Sequence, residues 1–233
     1  MQIFNIDKTG ISVVHKTGKV ICQLGRKNVW SVTSGEKGKT HTVITCVSAS
    51  GFVIPPMMIY PRKRMNEKLK QGAVPETLFE CSDSGWINEE LYVKWFKFFL
   101  TKIPPTRPVL LIEDGHSSHV SIDVIKLARD NGIHLLCLPA HTTHMLQPLD
   151  VGVFKSLKSN YSVVCKKYLS NHPGQVITTD VLASLLAQAW PESVTPINVM
   201  SGFRKCGIYP LNPGEISDRQ LAPSHAFVRP ASG

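Results

Sequence analysis

Apolar and polar positions along the chain change period several times, from strand-like to helical and back. Gln2 to Ile6 reads as a strand, and a turn around Lys16-Thr17-Gly18 leads to a weaker strand over Lys19 to Leu24. Thr40 to Ala49 and Phe52 to Tyr60 are apolar runs on either side of Ser50-Gly51, the pattern of a hairpin or a bulged long strand. Pro55 and Pro56 put the far end of the second run at a sheet edge, because proline cannot donate to a ladder. Val109 to Ile112 is short and unbroken, as in a central strand buried on both faces, and Ile133 to Leu138 is the next strand.

Between these runs the period becomes helical. Asn88 is placed to cap a helix reaching about Ile103, with Tyr92, Trp95, Phe96, Phe99 and Ile103 on its inner face. Ser121 opens a second helix and Gly132 closes it. From Asp150 to about Leu169 the pattern is helical again. At roughly 100° per residue, Phe154, Leu157, Tyr161, Val164 and Tyr168 fall within about 40° of Asp150. Asp150 is therefore expected to point with the apolar face, toward the sheet, with Lys155, Lys158 and Lys166 on one flank. Thr179 to Trp190 and Ile197 to Cys206 are two further helical stretches. Pro61 to Pro75 reads as a basic loop carrying Arg62, Lys63 and Arg64, and the Pro-, Ser- and Gly-rich tail is expected to be disordered beyond about Ser217.

Composition narrows the function classes. The 233 residues are 42% apolar, enough for a sizeable core, and carry a formal net charge of +9, which favours an anionic partner such as nucleic acid. No apolar run approaches the roughly 18 residues needed to span a bilayer. Six widely spaced cysteines, several inside apolar segments and none in a C-x-x-C pair, read as reduced thiols of a cytosolic or nuclear protein.

The residues that suggest chemistry are three aspartates. Asp7 and Asp114 sit at or near the ends of strand patterns, and Asp150 heads a helix. Strand alternation puts Ile3, Asn5 and Asp7 on one face, and Leu110, Ile112 and Asp114 on one face of theirs. If the two strands are parallel neighbours, both carboxylates can share a metal and Asp150 can close the site. Oxygen-only ligands select Mg²⁺ or Mn²⁺, and two such ions about 4 Å apart suit in-line phosphoryl transfer. Asp7 as a turn residue of Asp-x-x-Gly, or Asp150 as a helix cap, are the simpler alternatives. His116-x-x-His119 and His141-x-x-His144 offer a rival zinc reading; the other use for His116, His119 and His144 is to position a phosphate or the metal ligands. Arg62, Lys63, Arg64, Lys155, Lys158 and Lys166 are candidates for DNA-backbone contact, with solvated surface charge as the alternative.

Several segments resemble the catalytic domain of the pogo and Tigger branch of the mariner-like DDE transposases, related to Jerky and centromere protein B. They are Asn5-Ile6-Asp7-Lys8-Thr9-Gly10-Ile11, Asp114-Gly115-His116-Ser117-Ser118-His119, and the block Leu138 to Phe154 with Gln147-Pro148-Leu149-Asp150 at its centre. Phe203-Arg204-Lys205-Cys206-Gly207-Ile208-Tyr209-Pro210 resembles a further signature. The resemblance implies an α/β, ribonuclease-H-like mixed sheet flanked by helices, with a C-terminal helical extension. It implies a catalytic domain over residues 1–213, a disordered tail over 214–233, and Asp7, Asp114 and Asp150 as the metal ligands. Expected with it are two Mg²⁺ or Mn²⁺ ions, DNA as partner, a possible homodimer, a nuclear location, and no small-molecule cofactor.

Two departures from the family pattern stand out. Lys8 occupies a position where the family usually has Glu; next to Asp7 on a strand, it is expected to point away from the metals. The family's N-terminal helix-turn-helix half is expected to be absent. The functions in competition are therefore a DNA-cutting and strand-joining core, a domesticated DNA- or chromatin-binding module without catalysis, and an exonuclease or ribonuclease H on the same fold. The Gln-Pro-Leu-Asp block disfavours the last.

Overall fold

The computed structural model describes residues 2–13, 40–115 and 121–216. The Lys16-Thr17-Gly18 turn, the Lys19 to Leu24 strand, His116, His119 and the tail beyond residue 216 lie outside them. The described strands are β1 (Gln2–Ser12), β2 (Thr40–Ser48), β3 (Val53–Pro61), β4 (Leu78–Ser82), β5 (Val109–Asp114) and β6 (Ile133–Leu138). They form one sheet in the order β4-β3-β2-β1-β5-β6. β2 is antiparallel to both β1 and β3, while β5 is parallel to β1, β6 to β5, and β4 to β3. Five of the six strands thus share one direction and their C-terminal ends face the same edge.

Helices cover both faces. On one side lie α1 (Glu89–Lys102) and α2 (Ile122–Asp130). Asn88 caps α1 by accepting from the Leu91 N–H at 2.9 Å, and Ser121 caps α2 through the Val124 N–H. The helical spacing of Tyr92, Trp95, Phe96 and Phe99 puts all four under Phe4, Ile6, Ile44, Ile54 and Met57, and Trp95 stacks on Phe99. Burying each such side chain contributes about 1.5–3 kcal/mol, which makes α1 the main anchor of this layer.

The opposite face is covered by C-terminal helices: a short α3 (Thr143–Leu146), a π-helical turn over Asp150–Phe154, α4 (Lys155–Asn171), α5 (Leu182–Ser193) and α6 (Pro196–Lys205). Leu157, Tyr161 and Cys165 of α4 pack with Val43, Val47, Met58 and Tyr60 of the sheet.

One expectation about the sheet is corrected. Pro55 and Pro56 do not mark an edge, because β3 is paired on both sides. The β2–β3 register moves from Ile44↔Met57 to Cys46↔Ile54, so the two prolines share one bulge opposite Thr45, and β4 pairs only from Met57 onward. Their missing donors fall where the ladder is already interrupted. The true edge on that side is β4, Leu-Phe-Glu-Cys-Ser, which follows the basic loop in a stretch for which the sequence carried no strand expectation.

Candidate functional site

Parallel pairing of β1 and β5 runs from Gln2↔Val109 to Asn5↔Ile112 and stops there. Two residues further along each strand stand Asp7 and Asp114, on the face toward α4 by strand alternation. Asp7 lies inside β1, which continues to Ser12, so it is not a turn residue. Asp150 enters from the π-helical turn, inside the first helical turn rather than at its cap.

The three carboxylates influence one another. Burial raises the pKa of Asp7 from 3.8 to about 7, the charges of Asp150 and Asp114 add to the rise, and the Lys8 backbone N–H, donating to Oδ1 at 2.7 Å, opposes it. Asp150 is also raised, first by burial; Lys158 counteracts this and Asp114 adds to it. Contrary to the helical-wheel expectation, Asp150 lies at the surface with only its inner side desolvated, and Leu149, Val153, Phe154 and Leu157 carry the buried side. A wheel drawn at α-helical pitch does not describe a π-helical turn, whose bonds close over one more residue. Asp150 consequently sits on the rim of the apolar face.

Lys8 also departs from expectation. Its Nζ lies 3.3 Å from Asp114 Oδ2, with side-chain exposures of 18% and 21%. Once pairing ends at Asn5↔Ile112 the two strands are no longer bonded to each other, and a four-carbon stem can reach around β1 into the opening.

What sets the geometry is a pair of buried amides whose role the sequence did not reveal. Asn5 and Gln147 are both fully buried. Asn5 Nδ2 donates to Ile112 O and to Gln147 Oε1, each at 3.1 Å, and Gln147 Nε2 donates to Ile6 O at 3.1 Å. The Leu149 N–H donates to Asn5 Oδ1 at 3.1 Å, immediately before Asp150. One clasp therefore joins β1, β5 and the segment bearing the third aspartate. Behind it, α6 packs backbone to backbone on the π-helical turn. A Cβ on Gly152 would come within 2.5 Å of Asn198 O, and one on Gly202 would overlap the Pro148 carbonyl. Neither glycine can become larger without moving that turn. On the other face of β5, fully buried Glu113 accepts from the Tyr92 hydroxyl, tying the strand that carries Asp114 to α1.

The remaining candidates are spread more widely. His144 is exposed on α3. Arg62, Lys63 and Arg64 are exposed just past the C-terminal end of β3. The register Gly10↔Thr42↔Ile59 puts Arg62 about six residues, roughly 20 Å, along the sheet from Asp7. Lys155, Lys158 and Lys166 are exposed on α4, and of the three Lys158 acts on Asp150. Among the described residues no three His, Cys, Asp or Glu side chains stand together at metal-ligand spacing. The donor chemistry of the aspartates nevertheless fits a hard divalent cation: Asp150 and Asp114 oppose the ionisation of Asp7, Asp114 opposes that of Asp150, and Asp114 already draws in an ammonium.

Residues 37–203 match the family model of the DDE superfamily endonucleases, a span holding Asp114 and Asp150 and beginning after Asp7. The chain belongs to that family. A relative called MFS-type transporter clz9, from Cochliobolus lunatus, is 30% identical over 91% of this chain and 24% of its own length. The pogo transposable element with KRAB domain of Mus musculus is 24% identical over 89% of this chain and 35% of its own length. The chain thus spans about a quarter to a third of these curated relatives. Among the described residues, no helix is long and apolar enough to cross a membrane. The mariner Mos1 paired end complex with Mg superposes with a TM-score of 0.50 at 17% identity, over 90% of this chain and 55% of that one. This DDE superfamily domain has a ribonuclease-H-like fold, and its sequence is similar to that of the pogo transposable elements.

Proposed function

We propose that this DDE domain cuts DNA phosphodiester bonds and joins 3′-hydroxyl ends to target DNA, using Asp7, Asp114 and Asp150 as carboxylate ligands for divalent metal. The observation that carries the reading is that β1–β5 pairing ends two residues before Asp7 and Asp114, on one face, while the Asn5–Gln147 clasp ties the segment bearing Asp150 to the same two strands. Two Mg²⁺ or Mn²⁺ ions held there would supply activation of the attacking oxygen and stabilisation of the leaving one. The Mos1 complex solved with Mg supports that choice of ion.

The chain's own residues prepare the site. The Asn5–Gln147 clasp orients Asp150 toward the strand aspartates, and Asp7 gives up its proton on loading. Lys158 stands beside Asp150 on the exposed side, where a phosphate would approach. Arg62, Lys63, Arg64, Lys155 and Lys166 take the flanking DNA backbone, and His144, with His116 and His119, positions the scissile phosphate. The substrate places the activity in the nucleus, and joining paired ends calls for two copies of the chain.

Asp114→Asn is expected to abolish Mn²⁺-dependent nicking of supercoiled plasmid while leaving salt-sensitive DNA binding within about twofold, since phosphate contacts set that binding. Nicking that survives in this variant removes Asp114 from the mechanism. A wild-type chain that binds DNA and never nicks it turns the reading toward a domesticated binding module.

A further inference from the structure

Lys8 touches two of the three aspartates at once. Its backbone N–H donates to Asp7 Oδ1 at 2.7 Å, and its ammonium lies 3.3 Å from Asp114 Oδ2. The ion pair is about four-fifths covered, so water and salt screen it far less than a surface pair. Other lysines of the domain form ion pairs with well-exposed glutamates on the periphery, such as Lys70 with Glu67 and Lys102 with Glu76. Lys8 instead places a cation among carboxylates that repel one another.

We infer that Lys8 is a resident counter-ion of the acidic centre, which divalent metal must displace from Asp114, so that this chain sets its own threshold for metal loading. The inference rests on the reading of Asp7, Asp114 and Asp150 as the metal-binding set. The geometry supports displacement rather than a permanent lock. The Lys8 backbone is fixed in β1 by pairing with Ile44, while only the flexible stem carries the charge to Asp114. An ammonium on such a stem is a compact, easily rehydrated charge, and leaving costs it one partner rather than a bidentate fork. A divalent ion brings twice the charge to the same oxygen. Competition for Asp114 weakens apparent metal affinity in proportion to how firmly Lys8 holds it.

The test is calorimetric titration of Mn²⁺ alone into the 233-residue chain and into Lys8→Gln, Lys8→Met and Lys8→Arg, with folding checked by circular dichroism. Both neutral variants are expected to bind Mn²⁺ about tenfold more tightly than wild type, while Lys8→Arg stays within about threefold. Lys8→Met cannot coordinate the ion, so tightening there is not the gain of a ligand. Binding by the neutral variants where wild type shows none also supports the inference. If wild type binds and the neutral variants match it, the inference fails and the metal site stands. If no variant binds, both fall.

Discussion

A carboxylate kept protonated near neutrality in the metal-free protein must weaken the fold wherever it ionises, and Asp7→Asn measures by how much. In the folded chain Asp7 keeps its proton to about pH 7, whereas an unfolded aspartate releases it near 3.8. Between those values the native state binds more protons than the unfolded state. Stability therefore falls as pH rises through that window and levels off above it. Three units at 1.36 kcal/mol each set a ceiling of about 4 kcal/mol, and relaxation around the charge brings the expected effect to about 2–3 kcal/mol. Asparagine keeps an acceptor for the Lys8 N–H and carries no charge. Urea unfolding with EDTA present, followed by circular dichroism, is expected to show Asp7→Asn more stable than wild type by that amount at pH 8 and equal to it at pH 4. Saturating Mn²⁺ should close the gap at pH 8 by stabilising wild type alone. A variant no more stable than wild type at pH 8, or equally advantaged at both pH values, refutes the account of Asp7 as a charge held against its neighbours.

Gln147→Leu takes one acceptor from the buried Asn5 amide and the side-chain donor from Ile6 O, and is expected to cost about 2–4 kcal/mol of stability by urea unfolding. Calorimetry on the folded variant should also show weaker Mn²⁺ binding, and unchanged affinity would reduce the clasp to a structural role. Changing Lys155, Lys158 and Lys166 together to Gln should lower the slope of log K against log salt for duplex DNA by about 2–3 if all three meet phosphates. A slope equal to wild type returns them to solvated surface.

Strands and helices with clear periodicity were legible in the residues: α1 carries its aromatic face where the spacing put it, and β6 spans Ile133–Leu138 as expected. The common face of Asp7 and Asp114 followed from alternation together with the condition, met in the structure, that β1 and β5 are parallel neighbours. Other features depended on partners that no local pattern names. β4 is five residues long and half-buried throughout, so it lacks an alternating signal and exists because β3 offers it a ladder. The Pro55-Pro56 bulge was misplaced because only the register shows that the ladder breaks there. Lys8 follows strand alternation at its Cα, yet the end of β1–β5 pairing lets its ammonium cross over. The clasp joins residues 142 positions apart, and a buried Asn and Gln look in sequence like any other polar residues.

That long reach dictates when the acidic centre can exist during synthesis. β1 is made well before Gln147, so Asn5 has no amide to meet until that residue follows, and the turn bearing Asp150 has no backing until Gly202 is made. A nascent chain stalled after β6 would carry two of the aspartates and no assembled centre. The acidic centre is therefore among the last parts of the domain to form, complete only once α6 backs the turn that bears Asp150.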